Sequence, residues 1–364
     1  MTTLVLHIGS PKAGSSAIQA GLMQARWRRG WRGLPPNPYG KPLPSGFIAG
    51  CYLKPKALPR FLSQRHQQNP AQFESDLRRY RALLQRCLQP RWRRSPQGAV
   101  LSSEYLWRLP RRGIELLRHD FEALGCDRFV VIGYVREPGS LYGSALQQWS
   151  RLSTDLKRFD PFSWRYALRR RLETWASVFG ESLIVRPFER SQLVNGCVVR
   201  DFQTQVEAAL STSTIWQSLP VLPEVNRSAT SEELVAMQRI MAESPQFAAS
   251  VAQDAARALT RLWDNLSTQV SSSSGSSIRV RPEVLATVRD RHADDLAWLA
   301  DQYGLQFTGV ATTTFRQIED DQKEYSYASS PARITDLIEP PEDQFLLSRL
   351  QDYLLRHGPG PDEG

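Results

Sequence analysis

Apolar residues fall along this chain in two patterns. Short, nearly unbroken runs stand at Leu4-Val5-Leu6-His7-Ile8, Val100-Leu101, Phe129-Val130-Val131-Ile132 and Leu183-Ile184-Val185. Runs of that length without polar alternation predict strands buried on both faces, over 4–8, up to Glu104, over 128–137 and over 182–188. Between them, apolar residues recur every three or four positions. Phe73, Leu77, Tyr80, Leu84 and Leu88 share one face of a helix over 72–89, and Leu168, Leu172, Trp175 and Phe179 one face over 165–179. Other helices are expected from Ser15-Ser16 to about Arg29, near 114–124, over 231–266, over 282–303 and, with Phe345, Leu346, Leu350 and Leu354 on one face, over 341–356. Strands alternating with helices predict an α/β fold, a central parallel sheet flanked by helices. The Pro/Gly-rich stretch 33–40 and the Ser-rich stretch 271–277 read as loops, and the acidic stretch 317–340 as poorly structured.

Chemistry concentrates where strands end. The first run passes into Gly9-Ser10-Pro11-Lys12-Ala13-Gly14, and Ser15-Ser16 open a helix. A strand, a small-residue loop and a helix start aim backbone N–H groups and the positive helix end at one point, which suits a phosphate or sulfate. Gly9 and Gly14 have the separation of a Walker A loop, G-x4-G-K-[ST], but Ser15 stands where that loop has its lysine. Lys12 instead meets the anion from within the loop. Arg136 ends another apolar run, with Ser144 eight residues on. Arginine presents a planar fork of donors to a phosphate, and a hydroxyl on the next helix can add one more.

Pro11-Lys12-Ala13-Gly14-Ser15-Ser16 resembles the 5′-phosphosulfate loop, P-K-[TS]-G-[TS]-[TS], of the sulfotransferases that use 3′-phosphoadenosine 5′-phosphosulfate (PAPS), with Ala13 in place of the common hydroxyl residue. Arg136 and Ser144 match that family's 3′-phosphate pair. Val100–Glu104, the Arg186-Pro187-Phe188-Glu189-Arg190 segment, Val199–Phe202, Asn226-Arg227-Ser228 and Trp298–Gly304 are also similar to it, so the likeness spans about residues 4–308. The late R-K-G-x-x-G segment of cytosolic members is missing, which places the chain nearer the carbohydrate-modifying bacterial branch. The resemblance implies the sulfotransferase fold, a P-loop-like parallel sheet, in a domain over 1–316. Residues 30–95 would be a variable acceptor-binding insert, and 317–364 an acidic tail.

The resemblance further implies transfer of a sulfuryl group from PAPS to an acceptor hydroxyl or amine, without a metal. Ser10, Pro11, Lys12, Ala13, Gly14, Ser15 and Ser16 would hold the phosphosulfate, and Lys12 the charge on the bridging oxygen. The acceptor must lose a proton. Glu104, at a strand end beside the loop, is the first candidate base. His7 is the second, although its strand predicts a core histidine, and His66 cannot be placed from the sequence. A P-loop nucleotide kinase and a non-catalytic binder of nucleotide or acidic glycan are the alternatives.

Composition narrows the setting. Cys51, Cys87, Cys126 and Cys197 are widely spaced, and the five histidines show no ligand spacing, so neither a disulfide framework nor a metal site is expected. With no signal-peptide pattern and no membrane-length apolar window, a cytoplasmic location is the expectation. Net charge is +9, but unevenly distributed: residues 20–94 hold sixteen Lys/Arg against two acids, and 317–364 hold eleven acids against four bases. Arg26-Trp27-Arg28-Arg29 and Arg91-Trp92-Arg93-Arg94 read as a solvated face that captures the nucleotide or as a groove for an acidic polysaccharide. Nucleic acid is not an expected partner, because no nucleic-acid motif accompanies the basic residues.

Overall fold

The computed structural model describes residues 2–39, 45–89, 97–212, 214–222, 229–243, 275–310, 331 and 333–357. In chain order the elements are β1 (Thr2–His7), α1 (Ser15–Met23), β2 (Arg26–Trp27), β3 (Trp31–Gly33), α2 (Phe47–Gly50), α3 (Arg60–Gln68), α4 (Pro70–Leu88), β4 (Gly98–Ser102), α5 (Arg111–Ala123) and β5 (Cys126–Val135). There follow α6 (Pro138–Ser150), α7 (Leu168–Phe179), β6 (Leu183–Pro187), α8 (Val198–Leu210), β7 (Trp216–Ser218), α9 (Ser231–Glu243), α10 (Pro282–Asp290), α11 (Ala293–Tyr303) and α12 (Gln344–His357).

The protein is α/β. Five strands form a parallel sheet in the order β3-β4-β1-β5-β6, and β2 pairs with β7 in a separate antiparallel ribbon. β1 lies at the centre with every residue buried, which is why its sequence is an apolar run rather than an alternation. Every parallel pairing requires a crossover, and helices supply them. Val5, Val100 and Ile132 of the sheet pack with Ile18 of α1 and with Val199 and Phe202 of α8 in one apolar layer. From β1 the chain builds β3 and β4 on one side and then β5 and β6 on the other. The strand order therefore changes direction at β1, the position at which open α/β sheets carry their ligand crevice.

The chain falls into two compact units that interleave in sequence. The first comprises Met1–Glu137, Ala167–Glu224 and Ala297–Val310 and holds the whole sheet. The second comprises Pro138–Tyr166, Val225–Leu296 and Ala311–Gly364. Its core joins Tyr142 and Leu146 of α6, Leu234 and Met237 of α9, Val284 of α10 and Leu350 of α12.

The stripes expected on α4 and α7 are the buried ones. Elsewhere the boundaries differ from the sequence expectation. α1 ends at Met23 rather than near Arg29, because Arg26-Trp27 leave the helix to pair with Trp216–Ser218. β3 was not expected, since three residues containing an arginine and a glycine show no strand pattern. The helix expected over 282–303 breaks at Arg291-His292, where His292 Nδ1 donates to the Val288 carbonyl (2.7 Å). Part of the stretch read as a loop and part of the one read as poorly structured are ordered: Ser277 bridges to Thr230, and Ile334–Ile338 make a short turn in which Ile338 bridges to Val280. Residues 244–266 of the expected helix over 231–266, Asn226-Arg227-Ser228, Arg91–Arg94 and most of 311–332 lie outside the described residues. Among the described residues no helix is long and apolar enough to cross a membrane, and the four cysteines are free thiols.

Candidate functional site

The carboxyl end of β1 is tied on both sides. The His7 carbonyl accepts from Ser103 N (3.1 Å), Ile8 N donates to the Ile132 carbonyl (3.0 Å), and Ser10 N to the Tyr134 carbonyl (3.0 Å). The first half of the loop is thus held against β5 before it turns. Ala13 N donates to the Ser10 carbonyl (3.3 Å), and Lys12 takes a left-handed φ of 60°. Gly14, at φ 78°, begins α1 with no side-chain cap. A Cβ at Gly14 would stand 2.7 Å from the Phe188 ring and 2.9 Å from Val198, so glycine is required there for space as well as conformation. Ala17 N and Ile18 N both donate to the Gly14 carbonyl, and the earlier amides of the first turn have no intrahelical acceptor.

Three buried polar atoms crowd this loop without a hydrogen-bond partner: His7 Nε2, Ser10 Oγ and Ser15 Oγ. Gly9 brings two of them together, since a Cβ there would lie 2.6 Å from Ser15 Oγ and 2.8 Å from His7 Nε2. A buried polar atom left unpaired costs about 1–3 kcal/mol. Three around one helix start make a polar cradle suited to an anionic oxygen cluster.

Arg136 reaches the loop from the end of β5. Its Nη1 donates to the Lys12 carbonyl (2.9 Å), and its guanidinium lies over Phe188 (5.8 Å). The structure therefore joins two motifs 124 residues apart in sequence. Ser144 is half-buried on α6, in the second unit. Pro11 and Lys12 are half-buried, Ala13 is buried, and Ser16 is exposed.

Glu104 stands two residues past the end of β4, after Ser103. Ser103 N is paired to His7, and Ser103 Oγ donates to the Ser45 carbonyl (2.7 Å), which fixes the strand end. Burial pushes the Glu104 carboxyl above the ordinary carboxylate value, while Lys12, Arg108 and the Tyr105 hydroxyl pull the other way. A carboxylate so placed takes up a proton more readily than an exposed one, as a base at this edge would need to.

His7 is different. Burial pushes its imidazole down to about 3. Nδ1 is bonded to Ser102 Oγ (2.7 Å), and Tyr134 and Phe202 pack edge-on to the ring. It is neutral near pH 7 and a poor proton acceptor, which removes it as a base and leaves Nε2 as a hydrogen-bonding edge. His66 sits on α3, edge-on to Phe73 of α4. Arg26, Arg28 and Arg29 are exposed, but Trp27 between them is half-buried with its ring against Trp216. Exposed Arg78, Arg79, Arg81 and Arg86 make the outer face of α4 basic. Among the described residues no group of three or more His, Cys, Asp or Glu could hold a metal ion.

Sequence reading missed the residues that brace the loop. Tyr134 donates from its hydroxyl to Asp201 Oδ1 (2.7 Å), and fully buried Asp201 is gripped by Arg186 through Nε (3.1 Å) and Nη2 (2.7 Å). Ser102, partner of His7, stands 95 residues away in sequence, so only strand pairing could reveal it. No family model, curated protein or solved structure matches the chain.

Proposed function

We propose that this chain moves a sulfuryl group from PAPS to a hydroxyl or amine of a carbohydrate acceptor, on a P-loop-like sulfotransferase fold. The observation that carries this is the cradle of unpartnered His7 Nε2, Ser10 Oγ and Ser15 Oγ at the start of α1, with Lys12 in the same loop. A phosphosulfate offers the acceptor oxygens those groups lack, and the lysine answers its charge. Arg136 binds the 3′-phosphate in this reading.

The acceptor oxygen or nitrogen attacks sulfur, and the bond from sulfur to the oxygen of the 5′-phosphate breaks. Lys12 and the α1 amides stabilise negative charge on that departing oxygen. Glu104 takes the acceptor's proton, and its raised pKa favours uptake. The products are the sulfated acceptor, 3′-phosphoadenosine 5′-phosphate (PAP), and a proton that Glu104 passes to solvent.

Calorimetric titration with PAP and with ATP, on wild type and Arg136→Ala, tests the nucleotide site. Tight PAP binding that weakens sharply in the variant is expected. Preference for ATP would favour a kinase, and folded protein that binds neither would sink the proposal. Labelled PAPS with a panel of carbohydrate acceptors then tests chemistry. PAP binding without turnover on any acceptor would leave a non-catalytic binder.

A further inference from the structure

A cavity of about 230 Å³ opens beside the second turn of α1, lined by residues of α1, the end of β3 and β4. Three features define what it can hold. Its walls include Trp27, Leu22, Leu34 and Pro35, which are apolar and, at Trp27 and Pro35, flat. Gln19 also lines it; this residue is only 9% exposed, and its Nε2 has no hydrogen-bond partner. Ser102 supplies a second polar group, a hydroxyl that meets His7 Nδ1 and keeps further hydrogen-bonding capacity. Gly33 keeps the indole close, since a Cβ there would come within 2.9 Å of the Trp27 ring.

Ser15 and Gln19 are one turn apart on the same stripe of α1, and each carries a buried polar atom without a partner. One end of that stripe faces the loop and the other lines the cavity.

We infer that this cavity is a subsite for one neutral pyranose ring, with the sugar's C–H face on Trp27 and its hydroxyls on Gln19 and Ser102. Size argues for a single ring inside it: the volume is below the roughly 300 Å³ at which drug-sized ligand pockets begin. No lining residue carries a charge, which argues against an acidic sugar in this position. A purely aromatic ring would satisfy the walls but strand the Gln19 amide. The ring's role as acceptor rests on the sulfuryl-transfer reading; its binding does not, and is measurable without nucleotide.

The test is saturation-transfer NMR on the full chain with methyl α- and β-pyranosides of glucose, galactose, mannose and N-acetylglucosamine, with methyl glucuronide and indole as contrasts. At least one neutral glycoside is expected to receive saturation. That signal should fall at least fivefold in Gln19→Leu, which keeps the side-chain size, and vanish in Trp27→Ala. If Trp27→Ala fails to fold, Gln19→Leu decides alone. No transfer to any neutral glycoside, equal transfer in wild type and Gln19→Leu, or preference for indole or the glucuronide would each overturn the inference. Loss of glycoside binding with PAP binding intact would leave the sulfuryl-transfer reading standing, and the reverse result would remove that reading while keeping the sugar subsite.

Discussion

Two buried polar clusters, one in each unit, are handled in opposite ways. In the second unit, fully buried Glu232 accepts from Ser276 N (3.0 Å), Asp343 N (3.3 Å) and Ser276 Oγ. Burial alone would raise its pKa, but these bonds hold it below the ordinary value. Next to it, Thr230 N donates to Glu233 Oε2 (2.8 Å) and Glu233 N to Thr230 Oγ1 (3.3 Å), so that the start of α9 caps itself. In the first unit, the start of α1 has no side-chain cap, and His7, Ser10 and Ser15 each bury a polar atom with no partner. A helix start that satisfies itself contributes stability; one that does not leaves its donors for something else.

Substitutions should therefore read differently in the two places. Under the sulfuryl-transfer proposal the largest effect is expected for Lys12→Ala: turnover of labelled PAPS falls about 100- to 1000-fold, as for loss of one preorganised donor. A Lys12→Ala enzyme with near-normal turnover would remove the lysine from the chemistry. Glu232→Ala should do the reverse, lowering unfolding free energy by about 3 kcal/mol in urea, because its buried donors lose their acceptor, without changing PAP affinity.

Acid provides a third measurement. His7 is held at about 3 in the folded chain against 6.5 when unfolded. Between those values the unfolded chain binds the extra proton, so stability falls as pH drops, by about 1.4 kcal/mol per unit from this group. Urea titrations at pH 6.5 and 5.5, above the range of most carboxylates, should show wild type losing about 1 kcal/mol more than His7→Asn over that interval. Equal slopes would mean that His7 is not buried neutral. The smallest effect sharpens the comparison most. Ser15→Ala should raise stability by about 1 kcal/mol, since it removes a buried hydroxyl that has no partner, yet weaken PAP binding about tenfold, the equivalent of about 1.4 kcal/mol. A clear loss of stability in Ser15→Ala would show the hydroxyl to be structural, like Glu232.

The amino-acid sequence by itself determined the parts that depend on near neighbours. Unbroken apolar runs marked β1, β4, β5 and β6, because a strand covered on both faces has no polar side to alternate with. Stripes at helical spacing marked the buried faces of α4 and α7. Gly9, Lys12 and Gly14 marked the loop, because tight turns at a strand end leave few residue choices. What only the tertiary structure decided were the meetings across long sequence separations: Arg136 on the Lys12 carbonyl, Ser102 on His7, Tyr134 on Asp201, and Gln19 and Ser102 on one cavity. His7 illustrates the difference. Its place in an apolar strand was legible at once, but whether it is a base or a neutral hydrogen-bonding edge depended on burial and on a serine brought alongside by sheet pairing. A local pattern records which side of an element is dry. It carries no record of which unpaired atom will face which other, since that is set by the order in which the strands assemble.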